Sequence, residues 1–194
     1  MKKRLIWIWI TIAILAILYS ATIGKYNALV ISEESVKTER SQVQNVYQRR
    51  ANLIPNLVAT VKGEANFEKQ TLTDVINARA SASQIKVDIN NAEELAKYQA
   101  AQGQLSQALG RLMVLTENYP SLQANQSFRD LMVQLEGTEN RITVERMNYN
   151  AAAQVFNTQI RIFPTSIIAK IFDFQRANLF EATTGAEVAP TVEF

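Results

Sequence analysis

Residues 5–23 contain no charged residue, and this stretch limits what the chain can fold into more than any other feature. As a helix it rises about 28 Å, close to the hydrocarbon thickness of about 30 Å in a bilayer. A cleaved signal peptide has a shorter apolar region and small residues at its cleavage site, whereas Tyr19 stands near that place here. We therefore predict a retained transmembrane helix. Its marker residues are Leu5, Trp7, Trp9 and Ile23.

The charges on either side of this stretch predict its orientation. Residues 2–4 are all basic, whereas Lys25 is the one basic residue in the first turns after it. Positive residues are retained on the cytoplasmic side, so we expect a cytoplasmic N-terminus and an extracytoplasmic body, anchored by a single span in the inner (plasma) membrane. Counting Lys37 and Arg40 as well reduces the asymmetry.

Composition excludes several classes of function. The chain has 20 basic and 18 acidic residues, and three of the basic ones precede the apolar stretch. The remaining body is nearly neutral, which argues against nucleic-acid binding because phosphate neutralisation needs clustered Lys and Arg. Cys and His are both absent, which excludes disulfides, thiol nucleophiles, Cys/His zinc sites and imidazole acid–base chemistry. We expect no catalytic residue set, cofactor or metal.

Helical periodicity begins directly after the apolar stretch. Apolar residues recur at steps of three and four, and Leu29, Val36 and Val43 are spaced by sevens. No turn signal separates them from the span, so we predict one helix that projects out of the bilayer to about Arg50.

Pro55 interrupts this pattern. The residue before a proline is pushed away from helical geometry, so we predict a kink or break near residues 51–55. Asn52 is expected to cap the next helix, which extends to about Ser83.

Three further helices are predicted downstream. Cap-forming residues at Asn90 and Asn91 open a third helix, which ends near Pro120. Ser127, with Asp130 three positions on, resembles a capping box for a fourth. A short apolar segment follows the stop at Phe163 and Pro164, from residue 167 to residue 174.

The chain is therefore predicted to be all-α, with an N-terminal transmembrane helix that continues into an antiparallel bundle of long helices. We divide it into a cytoplasmic tip and span (1–24), a helical bundle (25–180) and a non-helical tail (181–194).

Charged and amide side chains are the candidate functional residues. Arg49, Arg50, Lys62 and Lys69 are compatible with an anion-binding cluster, but we favour solvated helix faces, because Lys and Arg are mostly exposed. Several amides lie on otherwise apolar helices and are predicted to form structural hydrogen bonds: Asn27, Asn56, Asn140, Asn150 and Asn157.

Glu136, Glu139 and Glu145 are compatible with a metal site, yet di-iron bundles use Glu-x-x-His motifs and this chain has no His. A calcium site has no loop motif behind it.

The sequence resembles the LemA family, a group of bacterial proteins with an N-terminal membrane anchor and a helical bundle. The motifs that carry the resemblance lie at residues 26–30, 49–58, 61–63, 117–120, 136–142, 163–164 and 190–194. Within them, the family-motif and interaction candidates are Tyr26, Asn27, Arg49, Arg50, Asn52, Pro55, Asn56, Lys62, Glu136, Glu139, Asn140, Arg141, Phe163 and Pro164. The resemblance implies a fold and a location more than a reaction, with a suggested link to a membrane metallopeptidase of the envelope.

We thus expect a membrane-anchored scaffold of the bacterial cell envelope without catalytic activity. The expected partners are the lipid bilayer and further copies of the chain, because part of the stripe at Leu29, Val36 and Val43 is expected to extend beyond what its own bundle covers. The alternatives are an accessory or adaptor protein of the membrane metallopeptidase, a ligand-sensing module and an envelope hydrolase.

Overall fold

A computed structural model describes residues 2–64, 67–85 and 91–181. Its six helices are α1 (Lys2–Lys62), α2 (Lys69–Gln84), α3 (Ala92–Thr116), α4 (Pro120–Ala124), α5 (Gln126–Gln159) and α6 (Thr165–Ile171). The predicted tail and the closing family motif lie beyond residue 181, outside the described residues.

The long helices α1, α2, α3 and α5 alternate in direction. Tyr47 of α1 packs on Tyr98 near the start of α3, and Glu64, just past the end of α1, accepts a hydrogen bond from Ser121 of α4, just past the end of α3. Helices α1 and α3 therefore run the same way. Helices α2 and α5 return in the opposite direction, as the contact of Arg79 with Ala51 shows for α2. This is the predicted all-α antiparallel bundle.

The N-terminal part of α1 extends from this bundle and exposes many apolar side chains, Trp7, Trp9 and Ile23 among them. By length and composition it can cross a membrane. The same helix continues without interruption into the bundle, as predicted.

The predicted break at residues 51–55 is wrong, because α1 continues through Pro55 to Lys62. A proline inside a helix leaves the carbonyl four residues earlier without its usual N–H donor. Here that carbonyl belongs to Ala51, and Arg79 of α2 donates to it from Nε at 2.8 Å. Tertiary contact thus replaces the hydrogen bond that the proline removes.

Other helix ends follow local capping. Asn52 lies inside α1 and accepts a hydrogen bond from Gln48, so its predicted cap role is wrong. The predicted Asn91 cap is confirmed, since its Oδ1 accepts from the backbone N–H groups of Glu93 and Glu94. Helix α5 is capped by Asn125, which accepts from the N–H of Phe128, and the predicted capping box at Ser127 is therefore wrong.

Two apolar clusters fill the bundle. The one nearer the apolar segment joins α1 residues from Leu29 to Tyr47 with the second half of α5 and α6. The farther one joins α1 residues from Ile54 to Val61 with α2, α3, α4 and the first part of α5. Leu29, Val36 and Val43 are buried inside a single chain. The premise that this stripe needs neighbouring chains is therefore wrong.

After α6 the chain returns along α5 in an extended segment, residues 174–181. Asn157 donates to the carbonyl of Ala177 and accepts from its N–H, at 2.8 and 2.9 Å. Asn150 makes the same pair of bonds with Phe180, also at 2.8 and 2.9 Å. These two amides confirm the predicted structural hydrogen bonding, although the partner is this extended segment and not another helix.

Candidate functional site

Arg50 is the largest side chain that the described bundle encloses, with 1% of its surface exposed. Its Nη1 donates to Glu139 Oε1 of α5 at 2.5 Å and to Ser106 Oγ of α3 at 2.7 Å. Its Nη2 donates to the side-chain and backbone oxygens of Gln102. The guanidinium also lies 5.2 Å from the ring centre of Tyr47. A single arginine thus ties α1, α3 and α5 together.

This polar layer lies between the two apolar clusters. Arg50 follows the last α1 residue of one cluster, Tyr47, and precedes the first of the other, Ile54. A charge in such a place requires a partner and hydrogen bonds, because desolvation is otherwise very costly. Both Nη atoms of Arg50 have such partners, whereas its buried Nε has none. The layer therefore fixes the register of three helices, as a single polar residue does in a coiled-coil seam.

An open cleft of about 800 Å³ borders the layer. Arg50 and Glu139 form part of its wall, together with several glutamines of α3, among them Gln99 and Gln107. Three of its charged side chains are engaged inside the chain: Arg50 and Glu139 pair with each other, and Arg146 at the rim donates to the carbonyl of Glu181.

Three buried tyrosines, of which Tyr47 and Tyr98 lie next to the layer, lose access to water. Burial raises the pKa of Tyr98 to about 12, and the neighbouring Tyr47 adds to the rise. Burial also raises the pKa of Tyr47 and brings the pKa of Tyr149 to about 12. These hydroxyls stay protonated at neutral pH, and that of Tyr149 donates to the carbonyl of Asn178 at 2.7 Å.

The arrangement supports structure and recognition better than catalysis. Ser106 Oγ lies 3.5 Å from Glu139 Oε2, but the other oxygen of that carboxylate is bound by Arg50. A serine nucleophile needs a free general base to take its proton, and this carboxylate is held in an ion pair. Among the described residues, no group of three or more possible metal ligands comes together.

The predicted site residues do not come together in one site: some make tertiary contacts and the others lie exposed on helix surfaces. Arg50 and Glu139 meet, and Tyr26 packs on Phe172 and Phe174. Pro55 lies within α1, and Phe163 precedes Pro164 in an exposed turn through a cis peptide bond. Arg141 bonds to Glu145 from Nε at 2.8 Å with its side chain largely exposed. The remaining candidates are exposed on helix surfaces: Asn27, Arg49, Asn52, Asn56, Lys62, Glu136 and Asn140.

Two sequence interpretations therefore need correction. Arg50 does not lie on a solvated helix face, although its neighbour Arg49, and Lys62 and Lys69, do. Asn27, Asn56 and Asn140 are exposed and are not buried amides.

The partners of Arg50 were missed, but the seven-residue spacing contains a signal for them. The stripe at Leu29, Val36 and Val43 continues by sevens to Arg50 and then to Leu57, all of them buried. Helix α3 shows the same pattern, with every seventh residue buried from Leu95 through Gln102 to Leu109. A polar residue in such a series predicts a buried polar contact.

Comparison with known proteins gives a consistent set of relatives. Magnetosome protein MamQ 2 of Paramagnetospirillum magneticum is 29% identical over 179 residues, covering 81% of this chain and 65% of that protein. Magnetosome protein MamQ of Magnetospirillum gryphiswaldense is 29% identical over 175 residues, covering 80% of this chain and 64% of that protein. Protein LemA of Metamycoplasma hominis is 26% identical over 181 residues, covering 93% of this chain and 80% of that protein.

The chain thus spans less than two thirds of the length of the magnetosome relatives. The sequence model of the LemA family matches residues 39–194, which include the whole Arg50 layer. The resemblance read from the motifs is confirmed, and the protein belongs to the LemA family.

Proposed function

We propose that this chain is a membrane-anchored helical scaffold of the bacterial cell envelope that self-associates in the bilayer and has no catalytic activity of its own. The observation that carries the proposal is the continuity of α1, which supplies both the apolar segment and the spine of the bundle. A body joined to its anchor by a rigid helix is held at a fixed height and orientation. None of these relatives is named as an enzyme, which also supports a non-catalytic role.

The surface for self-association is a second apolar stripe, on the outer face of α5. It consists of Val144, Met147, Ala151 and Val155, which recur at steps of three and four and are all exposed. We name it the α5 stripe. Because α5 packs along α1, the stripe runs beside the axis of the anchor, and copies standing side by side in one bilayer present it to each other. Confinement to one plane raises the effective concentration, so a modest contact is enough for assembly.

Crosslinking in native membranes tests this contact. The chain contains no Cys, so Met147→Cys introduces the only thiol, in the middle of the α5 stripe. Asn45→Cys is the matched control, because Asn45 is exposed on α1 at a similar height, near the contact between Tyr47 and Arg146. A short bismaleimide should give dimers with the first variant and not with the second. Equal crosslinking of both, or none with either, would contradict the proposal.

The location that we propose is the inner membrane, with a cytoplasmic N-terminus and the body outside. The basic residues at positions 2–4 support this orientation. Val133 is exposed far from the apolar segment. A thiol introduced by Val133→Cys should therefore react with a membrane-impermeant maleimide in cells whose inner membrane is intact and whose outer layers have been made permeable. A reaction that occurs only after lysis would show that the body lies in the cytoplasm and would contradict the proposed orientation.

The cleft next to Arg50 favours a second candidate, an adaptor that binds a segment of a membrane-protein partner. Its amide-rich wall offers donors and acceptors suited to a peptide backbone. Gly103 lines the cleft, and a Cβ added there meets nothing within 4 Å. Gly103→Leu should therefore obstruct the cleft while the bundle stays folded. Loss of a partner that co-purifies with the unsubstituted chain would support the adaptor role, and an unchanged set of partners would contradict it.

A further inference from the structure

One end of the bundle carries an exposed apolar surface. It consists of Ile162, Phe163, Ile167, Ile171 and Phe172, which we name the α6 face. All five are more than half exposed, Phe163 to 76% and Ile171 to 70%. Neighbouring residues of the same helix, Ile168 and Ala169, are buried in the core. Helix α6 is thus amphipathic, with one side in the bundle and an apolar side outside it.

The α6 face lies at the turning point of the chain. Helix α5 runs back along α1 to Gln159, and the extended segment after α6 turns away again, with Ala177 beside Asn157 and Phe180 beside Asn150. Residues 160–173 therefore form the end of the bundle that lies nearest the apolar segment.

The distance to that segment is small. The Phe172 ring packs on Tyr26, with ring centres 4.6 Å apart. Tyr26 follows Ile23, the last apolar residue of the proposed span, by three positions, or about 4.5 Å of helix. The headgroup layer on each side of a bilayer is roughly 5–8 Å thick, from a total of about 40–45 Å and a core of about 30 Å. Phe172 thus lies within the depth of that layer.

The charges around the face agree with this position. Lys25, Arg161 and Lys170 are all exposed around it, and Asp173 is the acidic residue in the turn after α6. Basic residues around an apolar face with aromatic rings are typical of helices that lie in the interface and contact anionic headgroups.

We propose that the α6 face is a membrane-contact surface, inserted between the headgroups and upper acyl chains of the bilayer that holds residues 5–23. The proposal rests on the membrane anchoring proposed above and adds a second point of contact. Together, the span and the α6 face fix the tilt of the bundle relative to the membrane. Lipid is the occupant because the anchor already brings this face to lipid depth, whereas the α5 stripe is a separate surface on another helix.

Spin labelling tests the proposal on the full-length chain in liposomes. Because the chain has no Cys, nitroxides can be placed singly through Phe163→Cys and Ile171→Cys. Val133→Cys is the water-exposed reference on α5, and Ile12→Cys is the reference within the apolar segment. Collision rates with oxygen, which prefers lipid, and with a water-soluble nickel chelate give the depth of each label.

Labels at positions 12, 163 and 171 should collide more with oxygen than with the nickel chelate. The label at position 133 should show the opposite preference. The preference for oxygen should persist in lipid discs that hold one chain each. A nickel preference at 163 and 171 with an oxygen preference at 12 would overturn the α6 contact and leave the anchor intact. An oxygen preference that disappears in single-chain discs would show contact between copies and overturn the lipid assignment. A nickel preference at position 12 would overturn the anchoring itself.

Discussion

Arg50 and Glu139 form an ion pair, but their side chains differ in exposure to solvent. The Arg50 side chain is 1% exposed, whereas that of Glu139 is 33% exposed. Glu139→Ala leaves a buried guanidinium without a counter-charge and should lower the free energy of unfolding by about 3–5 kcal/mol. Arg50→Met leaves a carboxylate that water can reach, so we expect a smaller loss of about 1–3 kcal/mol.

Denaturant unfolding followed by circular dichroism, on the full-length chain in liposomes, measures this difference. Arg49→Met is the control, since Arg49 is exposed and its loss should change stability by less than about 0.5 kcal/mol. A larger loss of stability for Arg50→Met than for Glu139→Ala would contradict the prediction. It would show that the burial of the remaining partner does not determine how much each substitution destabilises the chain.

The buried tyrosines predict how stability depends on pH. Burial raises the pKa of Tyr98 to about 12 in the folded chain, against about 10 in the unfolded chain. The contribution to stability is therefore complete below pH 10, because both states are then protonated. It is lost as pH rises from about 10 to about 12, because the unfolded chain releases its proton first. Tyr98→Phe should make this alkaline decline shallower, and an identical decline in both proteins would contradict the assignment.

Sequence alone predicts which residues belong to the core better than it predicts which polar residue is buried. The stripe at Leu29, Val36 and Val43 is read correctly from spacing. Arg50 occupies the next position of the same series, but its residue type argues for exposure. Only its partners, 52 to 89 positions away in the chain, make its burial tolerable. Such a combination depends on how the helices meet, which no local pattern contains.

At the scale of helices, the contact between Arg79 and Pro55 predicts an energetic coupling. Arg79→Met leaves the Ala51 carbonyl without a donor and should cost about 1–3 kcal/mol. In a Pro55→Ala background that carbonyl regains its helical N–H donor, so the same substitution should cost less than about 0.5 kcal/mol. A double-mutant cycle with the unfolding free energies measures the coupling, with Arg111→Met as a control on an exposed arginine of α3. Equal costs in both backgrounds would mean that Arg79 does not compensate for the proline.

Asn150 and Asn157 of α5 predict how the extended segment is held. Asn157→Ala removes both bonds to Ala177, and Asn150→Ala removes both bonds to Phe180. Each change should accelerate hydrogen exchange at its own partner amide by about fivefold or more, because about 1–3 kcal/mol is lost and each 1.4 kcal/mol corresponds to tenfold. Asn140→Ala, on an exposed part of α5, should leave both amides protected. Equal exchange rates at Ala177 and Phe180 in all three variants would show that these hydrogen bonds do not hold the extended segment.

The type and order of the long helices are predicted well from sequence, whereas most helix ends and the short helix α4 are not. Heptad spacing and the cap at Asn91 are local signals, and both agree with the structure. Pro55 is also a local signal, but Arg79 from another helix overrides it. The extended segment carries no periodicity, so nothing in the sequence indicated that Asn150 and Asn157 bind backbone.

At the scale of the whole molecule, the chain has three exposed apolar surfaces, and each has its own proposed role. The exposed apolar part of α1 is the proposed anchor, the α6 face the proposed lipid contact, and the α5 stripe the proposed contact between copies. Because Leu29, Val36 and Val43 are covered by the chain's own α5 and α6, the self-association that we propose depends on the α5 stripe and not on the first helix.

The number of chains in one patch of native membrane is the most direct test of the scaffold account. Polymer-excised membrane discs preserve lateral contacts, and mass photometry gives the mass of each disc. The chain has a mass of 21.8 kDa, and we expect discs that hold two or more copies. Val144→Glu combined with Met147→Glu should reduce these to single chains without loss of helicity, whereas Val133→Glu should not. Single chains in discs of the unsubstituted protein would contradict the account.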